Sequence, residues 1–309
     1  MLEVVDLVKN YGKFRALNDL NITVSDGIIY GFVGPNGAGK TTAMKIMSGL
    51  LTATSGSVFI NGENVVESPR ALREKIGYMP DFFGVYDNLK VDEYMDFYAG
   101  AYYIPYKERG DIIGNLLELV DLSDKRASYV DSLSRGMKQR LCLARSLVHD
   151  PEIIILDEPA SGLDPRARVE MKETLKHLQV LGKTVIISSH ILPELAEMCT
   201  EIGIINNGAL VSSGSINDIM RAMTKKRVIH IKPLEGVERL ASLLSEIAIV
   251  SDIRENIDNV EFEINGDDKD IAGVTAKIVG EGIDVVFVKE KEGNLEDIFM
   301  RLTKEDEND

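Results

Sequence analysis

The chain has 309 residues, 44% of them hydrophobic and 28% charged, with a formal net charge of −15. That length accommodates two domains, the larger with a full core, and the acidic balance excludes broad, sequence-independent nucleic-acid binding, which needs a basic surface. Two distant cysteines, Cys142 and Cys199, make neither a disulfide framework nor a metal-ligand spacing and read as buried structural thiols.

In chain order, the stretch to about Gly62 mixes short β-like runs with turns. Within it VFINGENVV places an Asn-Gly pair between β-formers, which predicts a hairpin. GIIYGFVG is a short apolar run ending in glycine, a buried strand, and the helical pattern KTTAMKIMSGLL follows it directly. From about Asp87 to Leu122 the pattern is mostly helical and forms an insert. Strands and helices then alternate: a helix over 136–148, the strand IIIL, a helix from about Arg166 to Leu181, the strand TVIIS and a helix from Leu192 to Met198. Such alternation implies a parallel sheet covered by helices. GIINNGALV adds a second Asn-Gly hairpin.

A shift in composition near Arg221–Arg227 marks a boundary, so the expected domains are 1–222, with a helical insert at about 87–148, and 223–309. Beyond the boundary come RVIHIK, a helix near Val237–Ser245, AIVSDIR, VEFEIN, a helix near Ile271–Val279 and DVVFVKE. That β-α-β-β-α-β order predicts a small ferredoxin-like α+β domain, with a last helix in LEDIFMRLT. From Lys225 onward there are 12 basic and 21 acidic residues, which read as a solvated surface. No apolar run approaches the ~20 residues that span a bilayer. The start MLEVVDLVKNYG lacks the features of a signal peptide. The expectation is a cytoplasmic protein that needs a spanning partner for any work at a membrane.

GPNGAGKTT, residues 34–42, fits the phosphate-binding pattern G-x-x-x-x-G-K-[ST] between a predicted strand and a predicted helix. Gly34, Gly37 and Gly39, with Pro35, Asn36 and Ala38 between them, let backbone N–H groups converge on one centre, and the helix dipole adds positive potential. Lys40 then reaches the β and γ phosphates, and Thr41, followed by Thr42, offers a hydroxyl to Mg²⁺. IIILDEP ends a buried strand with two carboxylates at the edge where parallel sheets bind ligands. Asp157 suits Mg²⁺ through its water shell, and Glu158 suits activation of a water attacking the γ-phosphate. His190, closing TVIISSH, ends another strand on that edge and is a candidate γ-phosphate contact; His149, His177 and His230 have no such placement.

The phosphate loop at 34–42, LSRGMKQR at 133–140, LDEP at 156–159, SGLD at 161–164 and SSH at 188–190 together resemble, in order and spacing, the ATP-binding subunits of ABC transporters. The resemblance runs through residues 1 to about 220 and implies a P-loop NTPase α/β core with antiparallel β and helical subdomains. NLEDIFMRLT resembles the C-terminal extension of bacterial export-type members. The resemblance implies ATP and Mg²⁺ as ligands, a separate membrane permease as partner, and a place at the inner face of the cell membrane. It also implies a head-to-tail pair, formed by two copies or with a related ATPase. In that pair Ser134 and Gly136 face the other copy's nucleotide, and Asp164 couples the two sites. Tyr11 resembles the aromatic that stacks on adenine. Three positions depart from the family pattern. LSGGQ reads LSRGM, with Arg135 and Met137, and Asp81 stands where a glutamine is usual; its carboxylate can ligate Mg²⁺ but adds negative charge near the phosphates. The Phe and Tyr residues concentrated in 78–106 include Phe82, Phe83 and Tyr86, which either line a groove for a permease helix or form the insert's own core. An importer ATPase, an ABC ATPase acting on ribosomes or DNA, and an inactive binding module are the competing readings.

Overall fold

The computed structural model describes residues 1–64, 69–82, 84, 88–216, 218–219 and 227–291. The chain divides into two compact units, Met1–Ile216 and Asn217–Asp309.

The first unit opens with two long strands, β1 (Leu2–Tyr11) and β2 (Phe14–Val24). With β4 (Ser55–Ile60) and β5 (Glu63–Asn64) they form an antiparallel sheet in the order β2-β1-β4-β5. The β4–β5 turn uses Asn61 and Gly62, both at positive φ, as a type I′ hairpin requires.

A six-stranded sheet has the order β10-β9-β3-β8-β7-β6. It comprises β3 (Ile29–Val33), β6 (Ile76–Met79), β7 (Ile153–Leu156), β8 (Thr184–Ser189), β9 (Glu201–Asn206) and β10 (Ala209–Ser215). Strands β3, β6, β7, β8 and β9 run parallel, and β10 turns back on β9 through Asn207 and Gly208. Every residue of β3, β7 and β8 is buried, which is why these strands read as unbroken apolar runs rather than alternating ones.

Helix α1 (Lys40–Met47) leaves β3 and packs Ala43, Met44 and Met47 into a core shared with Leu2, Leu7 and Leu20 of the antiparallel sheet and with Phe32, Ile155 and Ile186 of the parallel one. Each such leucine or methionine contributes about 1.5–3 kcal/mol through burial. Helix α2 (Pro69–Lys75) precedes β6. The helical insert holds α3 (Val91–Ala101), α4 (Tyr106–Leu119) and α5 (Arg135–Ser146); α6 (Pro165–Val180) and α7 (Leu192–Met198) follow as crossovers. Because the strands are parallel, β3, β6, β7 and β8 deliver their C-terminal residues to one sheet edge, with Val33 opposite Ser189 and Met79 opposite Leu156. The fold class is α/β, as expected.

In the second unit β11 (Arg227–Pro233), α8 (Val237–Ser245), β12 (Val250–Glu255), β13 (Val260–Ile264), α9 (Asp268–Gly280) and β14 (Val285–Lys291) follow in turn. The antiparallel sheet order is β12-β13-β11-β14, and Ile231, Leu240, Leu244, Phe262 and Ile278 fill its core. The helix expected in LEDIFMRLT lies outside the described residues.

Candidate functional site

The edge formed by the ends of β3, β6, β7 and β8 carries the site. After Val33 the chain turns through 34–39 and starts α1. Gly39 is the N-cap, at φ +106, with no side-chain cap bond, so the first N–H groups of the helix are left for a ligand. A side chain at Gly39 would also meet the Ala16 carbonyl at 2.7 Å.

Lys40 is only 6% exposed. Its Nζ donates to the carbonyls of Gly34 (2.7 Å) and Pro35 (3.1 Å) and lies 3.9 Å from Glu158 Oε1. Burial lowers its pKa from the ordinary lysine value, and the Glu158 and Asp157 carboxylates oppose that shift.

At the end of β7, Asp157 is 1% exposed and accepts a hydrogen bond from Ser188 Oγ at 2.7 Å. The Glu158 N–H donates to the same Ser188 oxygen at 2.9 Å. Glu158 takes φ +51, a conformation unfavourable for a side chain with a Cβ, and one that turns the chain sharply off the strand end. From the end of β8, His190 reaches Glu158: its Nδ1 donates to the carboxylate oxygen Oε2 at 3.0 Å.

These groups surround a cavity of about 450 Å³. Asn36, Gly37, Gly39, Lys40, Thr41 and Thr42 line it on the loop side, with Asp81, Glu158 and His190 at the strand ends and Tyr11 at the rim. Ten of the residues singled out from the sequence therefore meet in one place. Gly34, Pro35 and Ala38 shape the loop without lining the cavity, and Asp157, buried at the end of β7, does not line it either. Ser134, Gly136 and Asp164 are not part of the lining. Ser134 caps α5 through a bond from the Met137 N–H, and Asp164 caps α6 through one from the Ala167 N–H. Phe83 and Tyr86 lie outside the described residues.

Four contributors were not anticipated. Phe14, Ala16 and Ser161 line the cavity; the NYGKF segment hinted at Phe14 through its second aromatic. Ser188 organises both acidic residues, yet as the serine of SSH it carries no chemistry legible from its type. Thr41 and Asp81 give the cavity a hydroxyl and a carboxylate, a sparse oxygen set that fits a divalent cation sharing its remaining positions with water and phosphate. Among the described residues, no group of three His, Cys, Asp or Glu is arranged to hold a metal alone.

The family model described as ABC transporter matches residues 17–161. The bacitracin transport ATP-binding protein BcrA of Bacillus licheniformis is 35% identical over 98% of this chain and 97% of its own length. The probable multidrug ABC transporter ATP-binding protein YbhF of Escherichia coli K12 is 38% identical over 71% of this chain; the match spans only 38% of the length of that relative. A solved structure described as the ATP binding subunit of an ABC transporter superposes with a TM-score of 0.65 at 31% identity, covering 72% of this chain and 92% of its own.

Proposed function

The chain belongs to the ABC transporter family as an ATP-binding protein, and from that premise we propose that it binds and hydrolyses ATP to drive a separate membrane permease, as the motor of an exporter. The observation that carries this reading is the convergence of Lys40, Glu158 and His190 on one cavity walled by the phosphate loop. The N–H groups of the loop and the start of α1 cradle the phosphates, and Lys40 exchanges its own loop carbonyls for phosphate oxygens. Glu158 accepts the proton of the attacking water, and His190 holds the carboxylate in place through Nδ1. Asp157 is held by the hydrogen bond it accepts from the Ser188 hydroxyl. Thr41 and Asp81, together with Asp157 at the end of β7, are the residues to hold Mg²⁺, which when bound neutralises phosphate charge. Tyr11 and Phe14 offer ring faces for the adenine.

Export is supported by relatives named for linearmycin resistance in Bacillus subtilis and for Nod factor export in Burkholderia orbicola. The reading places the chain at the cytoplasmic face, bound to a spanning partner, as the family membership suggests; among the described residues no helix is long and apolar enough to cross a membrane. Phe82, Tyr103 and Tyr106 stand exposed near the insert and are the surface to receive it.

Two variants test the reading through phosphate release and nucleotide binding. Glu158→Gln is expected to bind ATP but to lose at least about 100-fold in hydrolysis. Lys40→Ala is expected to lose both. Full hydrolysis in either variant contradicts the assignment.

A further inference from the structure

Arg135 is the first residue of α5, and it stands where the family pattern has glycine. Its side chain does not point away from its own chain. Nη2 donates to the backbone carbonyl of Ser161 at 3.1 Å, and Gln139 Nε2, one helical turn on, donates to the same oxygen at 3.1 Å. The guanidinium lies flat against Gly162: a Cβ there would fall 2.5 Å from the guanidinium carbon. Ser161 in turn donates its N–H to the Glu158 carbonyl at 3.1 Å and lines the nucleotide cavity. The turn that carries the water-activating carboxylate is therefore held from outside by two donors on one face of α5.

We propose that Arg135 is a positioning residue, which ties the first turn of α5 to the Glu158–Ser161 turn and so links the Ser134–Gly136 segment to the chain's own nucleotide cavity. This rests on the ATPase reading above and deepens it. A guanidinium supplies what the ordinary glycine cannot, a long planar donor that reaches a carbonyl 26 residues away in sequence. Gly162 sits at φ +67, which itself favours glycine, and a methyl group there would in addition displace the guanidinium from Ser161. Ligand contact at Ser161 then reaches Ser134 and Gly136 through one rigid element.

The test uses the full chain and the variants R135G, R135K, G162A and R135G/G162A. Two readouts are taken: kcat and KM for ATP, and amide hydrogen exchange in residues 158–163. R135G is expected to lower kcat about tenfold with KM within about twofold, and to speed exchange in 158–163 about tenfold, the scale of one lost charge-assisted hydrogen bond. R135K, which keeps one donor, restores part of both. G162A slows hydrolysis more in the otherwise unchanged chain than in the R135G chain; backbone strain at residue 162 is common to both pairs and cancels in that difference. An R135G chain with unchanged kcat and exchange overturns the proposal. So does a raised KM at unchanged kcat, which marks a phosphate ligand instead. If the unaltered chain hydrolyses no ATP, the ATPase reading fails, while exchange in 158–163 still reports on the Arg135 link.

Discussion

Lys40 and Glu158 are 3.9 Å apart, yet burial, not the carboxylate, has the larger influence on the lysine: it moves the pKa down against the pull of two neighbouring acids. A cation held this way is desolvated before a phosphate arrives, so the ligand's charge is opposed by little water. Ser188 is the less visible partner, with one hydroxyl donating to Asp157 and accepting from the Glu158 N–H. Removing it leaves a buried carboxylate short of a donor, at a cost of about 1.5–3 kcal/mol. Ser188→Ala is thus expected to lower kcat by about ten- to a hundredfold while ATP still binds, as steady-state kinetics with equilibrium binding will show. Unaltered kcat contradicts that role. The difference in legibility is physical: Lys40 and Glu158 announce themselves by residue type in a spaced motif, whereas Ser188 acts through a contact 31 residues distant from Asp157.

At the scale of elements, the strands most legible in the sequence are those buried on both faces, IIIL and TVIISS, because nothing but apolar or small residues survives there. Strands β1 and β2 read only as short β-like runs. Their pairing is interrupted by register shifts, and Asp6 and Asp19 take positive φ, so the apolar period breaks although the strands continue for 10 and 11 residues. The Arg135–Ser161 contact was equally hidden, since no local pattern encodes it.

His149 shows how the insert is joined to the sheet. Its ring stacks on Tyr102 with centroids 3.9 Å apart, and Nε2 donates to the Ile76 carbonyl of β6 at 3.1 Å. Burial lowers its pKa from the ordinary value of 6.5, against the pull of that carbonyl and of Asp150. Folded His149 therefore resists protonation more than unfolded His149. As pH falls below about 6.5 the unfolded state takes up the proton first, and stability is lost until the lowered folded pKa is passed. Urea midpoints between pH 7.5 and 5 are expected to fall less in His149→Gln than in the unaltered chain. An identical fall in both removes this residue from the acid response.

On the scale of the whole molecule, the two units have separate cores, one built around α1 and the parallel sheet, the other around β11, β13, α8 and α9. From Lys225 onward 21 acidic residues stand against 12 basic ones, so that stretch supplies −9 of the chain's −15. Ser134, Gly136 and Asp164 lie outside the chain's own cavity lining. The family resemblance implies that Ser134 and Gly136 face the nucleotide of a second ATPase, with the start of α5 offering its N–H groups to the γ-phosphate, and that Asp164 couples the two sites.

That pairing is the central claim, and light scattering after size exclusion tests it most directly. Glu158→Gln, which keeps the phosphate loop and lacks the carboxylate proposed to activate water, is measured with and without Mg²⁺-ATP. The expected result is a monomer without nucleotide and a stable dimer with it, the dimer lost again in Ser134→Arg. A variant that binds ATP and remains monomeric contradicts the claim that two copies of this chain complete each other's sites.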